Sequence, residues 1–327
     1  MRVELTGDAS AFMARGWGDL VAADPEGTFF HTPAYLKLWW EEFGKGRPLL
    51  AFVVDGEGHL VGACAFEVTQ GTLRFMGGYD VTDYMGPVSV PGLEEVVANE
   101  LMLALAFEVM WDRADLRGLP LDGRWLPVLE AAATIRGLPV ERGSDGVAPL
   151  IELPHTFEDY LAGLPAKLRH EIRRKERRLI EEAGPYRVTL STAETLESDL
   201  DRFIELHQSS PGPKGKFMHA EMEIFFRRLT ESFLDSNHLH LALLEVGGKK
   251  AAGAIAFAFG DTFSLYNSAF DREFSRLSPG MVLVADLIRR SIELRRRHFD
   301  MLKGDLEYKY RFGALPREVG SLVLSRE

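Results

Sequence analysis

A chain of 327 residues, 46% hydrophobic and 27% charged, is longer than one hydrophobic core ordinarily supports and too apolar to stay disordered, so two domains are expected. The net charge of −11 sits in the first half: residues 1–150 hold 11 Lys and Arg against 22 Asp and Glu, and residues 151–327 hold 27 of each. A polyanionic partner is therefore expected to approach the second half, and the lone cysteine, Cys64, excludes an internal disulfide or a thiolate metal cage.

Residues 1–12 carry charges from the outset and no apolar stretch of signal-peptide length, and the apolar segment 101–111 is too short to span a bilayer and contains Glu108. A cytoplasmic protein without membrane insertion is expected. Thr32-Pro33 reads as the N-cap and first-turn proline of a helix over 35–43. The string AFVVDGEGHLVGACAF (51–66) has two apolar runs around a Gly-containing turn, the pattern of an antiparallel hairpin, with Cys64 an inert core residue. Strands at 73–76 and around 84–90, a helix over 93–111 and a strand at 114–116 follow. GSDG and two prolines between 142 and 156 interrupt the pattern, giving domains 1–152 and 153–327.

The second half opens with helices over 166–183, 194–209 and 220–235. Its segment ALLEVGGKKAAGAIAF (242–257) aligns without a gap to 51–66, with six of sixteen positions identical. A strand at 263–270, a helix over 279–297 and a strand at 299–302 repeat the earlier order, so the reading is an α/β (α+β) chain built from two copies of one plan. The helix over 279–297 sets Val282, Ala285, Leu287, Ile288 and Ile292 opposite a basic face of Arg289, Arg290, Arg295, Arg296 and Arg297.

Four strings sharpen this: KLRHEIRRKERR (167–178), LHQSSPGPKGKF (206–217), SLYNSAFDREFSRLSPG (264–280) and FDMLKGDLEYKYRFG (299–313). With the doubled element order, they resemble the CelD-like acetyltransferases, a tandem branch of the GNAT superfamily related to the FemAB-type aminoacyltransferases. The resemblance is specific over 160–313 and architectural over 1–150. It implies two GNAT-like halves, each a mainly antiparallel sheet flanked by helices, the first non-catalytic or on the acceptor side. It also implies direct transfer of an acyl group, from acyl-CoA such as acetyl-CoA, to an amine or small-molecule acceptor, without a metal.

Such a transfer needs a held donor, an oxyanion stabiliser and a route for the proton. Ser278 as N-cap, Pro279 at the first helical position and Gly280 would offer backbone N–H groups to a pyrophosphate, with Arg276 adding charge. The superfamily's R/Q-x-x-G-x-G/A loop is reduced here to one glycine. A strand N–H near Asn267 and Ser268 is the expected oxyanion donor. Candidate proton carriers are Asp271, His207, Asp300, Asp305 and Glu307. Asp300 is expected to be partly buried with a raised pKa, as a base or as the partner of Lys303 or Arg311. His207 reads as a packed or capping residue or a substrate contact. Gly304 permits a turn at which Lys303, Lys309 and Arg311, with the Tyr308 phenol and Asp305, would grip an anionic substrate or protonate a leaving group.

The run 167–178 carries seven cations, among them Arg169 and Arg173, against Glu171 and Glu176, a patch for the phosphates of a nucleotide, a coenzyme or RNA. It motivates an aminoacyl-tRNA-dependent FemAB-like alternative. A third reading is a non-catalytic binding protein on the same fold. DNA is not an expected partner, and neither a Ser-His-Asp constellation nor metal-ligand spacing stands out.

Overall fold

The structure, a computed structural model, describes residues 1–13, 16–78 and 81–326. In chain order the elements are β1 (Arg2–Thr6), α1 (Trp17–Ala23), α2 (Pro33–Phe43), β2 (Arg47–Val54), β3 (Leu60–Thr69), β4 (Thr72–Phe75), β5 (Val88–Ser89), α3 (Glu94–Phe107), β6 (Arg113–Pro120), α4 (Trp125–Ile135) and β7 (Val140–Val147). Next come β8 (Leu150–Glu152), α5 (Phe157–Gly163), α6 (Ala166–Ala183), β9 (Tyr186–Leu190), α7 (Leu196–Gln208), α8 (Pro213–Phe217) and α9 (Ala220–Leu234). The rest are β10 (Leu239–Val246), β11 (Lys249–Phe259), β12 (Thr262–Phe270), α10 (Pro279–Glu293), β13 (His298–Asp300), α11 (Glu307–Tyr310) and β14 (Glu318–Ser325).

Two compact units result, Met1–Val147 with Arg317–Glu327, and Ala148–Pro316. The first holds a sheet ordered β1-β2-β3-β4-β6-β14-β7, with β5 paired to β3; the second holds β8-β13-β12-β11-β10-β9. Each sheet is antiparallel except for one parallel pair, β4 with β6 and β12 with β13. Both hairpins, β2–β3 and β10–β11, form as the apolar runs predict. Thr32 caps α2, its Oγ1 accepting the Tyr35 N–H at 3.3 Å. In the second unit Ala252, Ala254, Ala256 and Ala258 alternate along β11 toward the apolar stripe of α10, where Leu283, Leu287 and Ile288 are buried. Alanine at these positions lets helix and sheet approach closely, and each large side chain covered contributes about 1.5–3 kcal/mol.

Several expectations are corrected. The division does not fall at 152/153: β8 pairs with β13 inside the second sheet, so 148–152 belong to the second unit. Nor does the second unit reach residue 327, because β14 lies between β6 and β7 of the first sheet. There it satisfies two otherwise unpaired strand edges and buries Leu322 and Leu324 in that unit's core. GSDG is not a break but part of β7, where Gly143 faces Ser321; a Cβ at Gly143 would lie 2.6 Å from the Ser321 Oγ. The strand expected around 84–90 shrinks to Val88–Ser89. The helix over 93–111 stops at Phe107, as Trp111 folds back to donate its indole N–H to the Leu105 carbonyl at 2.8 Å. The helix over 279–297 stops at Glu293, so Arg295, Arg296 and Arg297 lie beyond it rather than on its basic face.

The gapless alignment of the two hairpins also fails in register. Gly62 pairs with Val53, whereas the aligned Gly253 pairs with Leu243, one residue earlier than the counterpart of Val53. A one-residue slip turns side chains to the opposite face of a sheet. Accordingly a Cβ on Gly62 would meet Val97 of α3, and one on Gly253 would meet Phe203 of α7. Yet α3 and α10 are the helices that occupy the same place in the two connections. The hairpins correspond in order but not residue by residue.

Candidate functional site

The parallel pairing of β12 with β13 runs for three residue pairs and ends at Ser264↔Asp300. Beyond it the two strands part, and among the described residues no strand pairs with β12 on that side from Leu265 to Phe270. On its other side β12 carries a bulge: Ile255 pairs with Asn267 and Ala256 with Leu265, so Tyr266 is the extra residue. A bulge sends two successive side chains to one face. Tyr266 stacks on Phe226 of α9, and Asn267 lies near enough to the His207 side chain of α7 to act on its pKa. Ser268 then falls on the opposite face, across from Ala254 of β11, the face on which Tyr308 packs. The polar pair Asn267-Ser268, legible in the sequence, thus serves both faces of one splayed strand.

His207 closes α7 and is 1% exposed. Its pKa falls to about 4, chiefly through burial and then through the charge of Lys214, against the influence of Asn267; its Nδ1 has no hydrogen-bond partner. Lys214 itself is reached by solvent yet ringed by protein, which lowers its ammonium pKa. On the other face, burial raises the Tyr308 phenol, with Ser268 opposing, so Tyr308 keeps its proton at neutral pH.

The start of α10 differs from the expected cap. Ser278 is left-handed at φ 55°, and its side chain makes no cap hydrogen bond. Its Oγ instead receives a hydrogen bond from the Lys175 Nζ of α6 at 2.9 Å. Pro279 opens the helix as anticipated, and Met281 and Val282 both donate to the Ser278 carbonyl. Within that first turn the Gly280 N–H has no backbone acceptor among the described residues. Lys175 lies 3.7 Å from Glu171, which is 3.5 Å from Arg311, which in turn binds Glu307 at 2.9 Å. Burial lowers the Lys175 pKa, with Arg174 and Arg311 adding to the effect and Glu171 opposing it. Through α6 the helix start and the 303–311 turn therefore share one charge network. In the sequence Lys175 and Glu171 are hidden within a charge run; their four-residue spacing beside Ile172 and Leu179 is the signal that sets them apart.

Other candidates hold the scaffold. Asp300 is 2% exposed, more deeply buried than expected, and its Oδ1 accepts the Leu302 N–H at 2.7 Å, fixing the left-handed turn at Leu302 (φ 56°). Lys309, expected to present its charge at the surface, is 3% exposed and donates from Nζ to the carbonyls of Leu302 and Lys303 at 2.7 and 2.9 Å. Arg311 is engaged with the glutamates rather than with Asp300. Lys303 is half-buried at this turn, and the exposed Asp305 accepts the Tyr310 hydroxyl at 2.6 Å. Asp271 accepts from Arg202 at 2.7 Å and from the Glu273 N–H at 3.0 Å. Arg276 is exposed just before the α10 start, Arg169 donates to the Ala162 carbonyl at 3.3 Å, and Arg173 is exposed on α6. No cluster of three or more His, Cys, Asp or Glu able to hold a metal ion occurs among the described residues. Cys64 is buried, its thiol pKa pushed up by burial.

Residues 166–310, the span containing the splay, the bulge and the α10 start, match the family described as an acetyltransferase (GNAT) domain. Among solved structures, FemX superposes with a TM-score of 0.66 at 11% identity, covering 98% of this chain and 97% of that one. A protein of unknown function from Bacteroides thetaiotaomicron VPI-5482 gives 0.63 at 15%, covering 97% and 95%. A tandem GNAT protein from the clavulanic acid biosynthesis pathway gives 0.51 at 12%, covering 100% and 99%. No curated protein sequence matches. At these identities the likeness is one of fold, shared over nearly the whole chain, and the span similar to the GNAT family lies within the second unit.

Proposed function

We propose that the GNAT domain transfers an acyl group directly from acyl-CoA, acetyl-CoA being the simplest, to an amine acceptor. One observation carries this reading: strand β12 is splayed from β13, bulged at Tyr266, and flanked by Tyr308 on one face and by the Lys175–Ser278 contact at the α10 start. Acyl transfer calls for backbone N–H groups where charge develops, and the unpaired side of β12 supplies candidates. The donor's phosphates fit the Gly280 N–H, the Lys175 ammonium and Arg276, although Pro279 removes one N–H and the glycine loop is short. The acceptor nitrogen attacks the thioester carbonyl carbon, the C–S bond breaks as the adduct collapses, and Tyr308 protonates the departing thiolate. The proton lost by the amine leaves to water, with His207, neutral above pH 4, as a relay beside Asn267. Asp300 and Lys309 act by holding the turn that carries Tyr308.

The first unit is assigned to the acceptor side, its acidic balance suiting a cationic acceptor. No described helix is long and apolar enough to cross a membrane. Calorimetry with acetyl-CoA and thiol release with a panel of primary amines test the reading. Binding with amine-dependent thiol release supports it; no binding at millimolar acetyl-CoA refutes it.

A second donor is favoured by a specific feature. Arg173 and Arg174 are exposed on α6, two residues from and adjacent to Lys175 respectively, and suit an RNA backbone. An aminoacyl-tRNA-dependent transferase would bind tRNA with a steep salt dependence that is lost on reversing both arginines. If no ligand of either class turns over, the non-catalytic reading stands.

A further inference from the structure

At the far end of α10, about 22 Å along the helix axis from Ser278, lies a cleft of about 500 Å³. Leu153, Pro154 and Ile292 form its apolar part, and His155, Arg295, Arg296 and Arg297 line it against one carboxylate, Glu293. Its volume is that of a small-molecule site.

The charges here are poorly compensated. Arg297 reaches Asp261 only at 3.8 Å. Arg296 donates one N–H to the Gly260 carbonyl, while its Nε is buried without a hydrogen-bond partner. Behind it, Arg290 donates to His240 Nδ1 at 3.4 Å, and His240, 6% exposed, has its Nε2 without a partner. The His240 pKa is driven to about 4 by burial, then by Arg290, Arg296 and His238, consistent with a positive local potential. The negative end of the helix dipole, about half a charge, does not offset three guanidinium groups.

The backbone adds an independent observation. α10 ends where the Arg296 N–H closes on the Ser291 carbonyl and the Arg295 N–H on the Ile292 carbonyl, which places Arg295 at φ 56°. Glycine is the residue that accepts this left-handed position without steric cost. Closing the helix therefore does not call for an arginine at 295. A guanidinium held in a disfavoured conformation beside a cationic cleft points to a ligand that uses it.

We propose that this cleft binds a phosphate-bearing small molecule, its phosphate against Arg295, Arg296 and Arg297 and its apolar portion on Leu153, Pro154 and Ile292. Planar guanidinium forks match phosphate oxygens in pairs, and three of them facing one carboxylate call for a ligand of more than one negative charge. The site does not depend on the acyl-transfer reading, since it shares no residue with the α10 start.

Calorimetry with inorganic pyrophosphate, on the full chain at low salt, tests it. All arms are read on a Lys175→Met background, which removes the cation of the other proposed phosphate site at the opposite end of α10, and Lys175→Met is expected still to bind pyrophosphate. Arg295→Gly is expected to weaken binding at least tenfold while raising the Tm, because glycine relieves the backbone; Arg295→Gly with Arg297→Ala is expected to abolish it. Pyrophosphate binding absent from Lys175→Met, or unchanged once Arg295→Gly and Arg297→Ala are added, overturns the proposal.

Discussion

Replacing Lys175 with Met tests the donor site with little risk to the fold. The Lys175 side chain is 14% exposed, donates to Ser278 Oγ at 2.9 Å and lies 3.7 Å from Glu171. Methionine keeps the aliphatic stem packed and removes only the ammonium. Glu171 retains Arg311 at 3.5 Å, and burial already disfavours the Lys175 charge, so the stability change is expected to stay below about 1 kcal/mol. That corresponds to a Tm shift of no more than about 2–4 °C. Binding responds more strongly, because a hydrogen bond from a charged group to a phosphate contributes about 1.5–3 kcal/mol, a loss of roughly tenfold to 150-fold in Kd for CoA. Calorimetry with CoA at two salt concentrations, alongside thermal unfolding, reads both quantities, and the salt dependence should flatten as one cation is lost. A folded Lys175→Met protein that binds CoA within twofold of wild type would refute the placing of the donor phosphates at the α10 start.

Tyr308→Phe is expected to lower kcat for thiol release by roughly 10²-fold with KM for acyl-CoA little changed; a change in KM alone would assign Tyr308 to binding. His31, His207 and His240 are each held at about 4 in the fold against 6.5 in the unfolded chain, burial being the main cause. Between those values the unfolded chain takes up protons that the folded chain refuses, so stability is full above pH 6.5 and is lost as pH falls toward 4, by roughly 3 kcal/mol per histidine. Urea unfolding at pH 7 and pH 5 measures this, and His207→Gln should show a shallower slope; an identical slope would mean that His207 titrates normally. Gly62→Ala places a Cβ 2.6 Å from Val97 Cγ1, for an expected cost of about 1–3 kcal/mol, and Gly253→Ala, at 3.1 Å from Phe203, should cost less. Equal losses of Tm would contradict the difference in register between the hairpins.

Much of the fold was legible because it is written locally. Apolar alternation marked β2, β3, β10, β11 and β12, helical spacing marked α6 over its full length, and Thr32-Pro33 marked the start of α2. The failures have particular causes. GSDG carries turn chemistry, yet β14 arrives from far along the chain and pairs with it as a strand. The hairpin strings look equivalent, yet a five-residue loop at 55–59 and a two-residue turn at Gly247-Gly248 set different registers, which identity counts do not register. At the site, Asn267, Ser268, Tyr308, Ser278 and His207 were singled out from residue type, but Lys175 and Glu171 were lost in a run of charges. Lys309 and Asp300 were read as exposed or half-exposed chemistry when they are buried in holding a turn.

The sequence by itself determined the element types, the doubled α/β plan and the uneven charge, since these follow from periodicity and composition over a few residues. Only the tertiary structure decided that β12 bulges at Tyr266 and parts from β13, that Lys175 rather than a side-chain cap meets Ser278, and that β14 completes the first sheet. Those outcomes depend on pairing between residues distant in the chain, whose register and burial are settled by what packs on the other side.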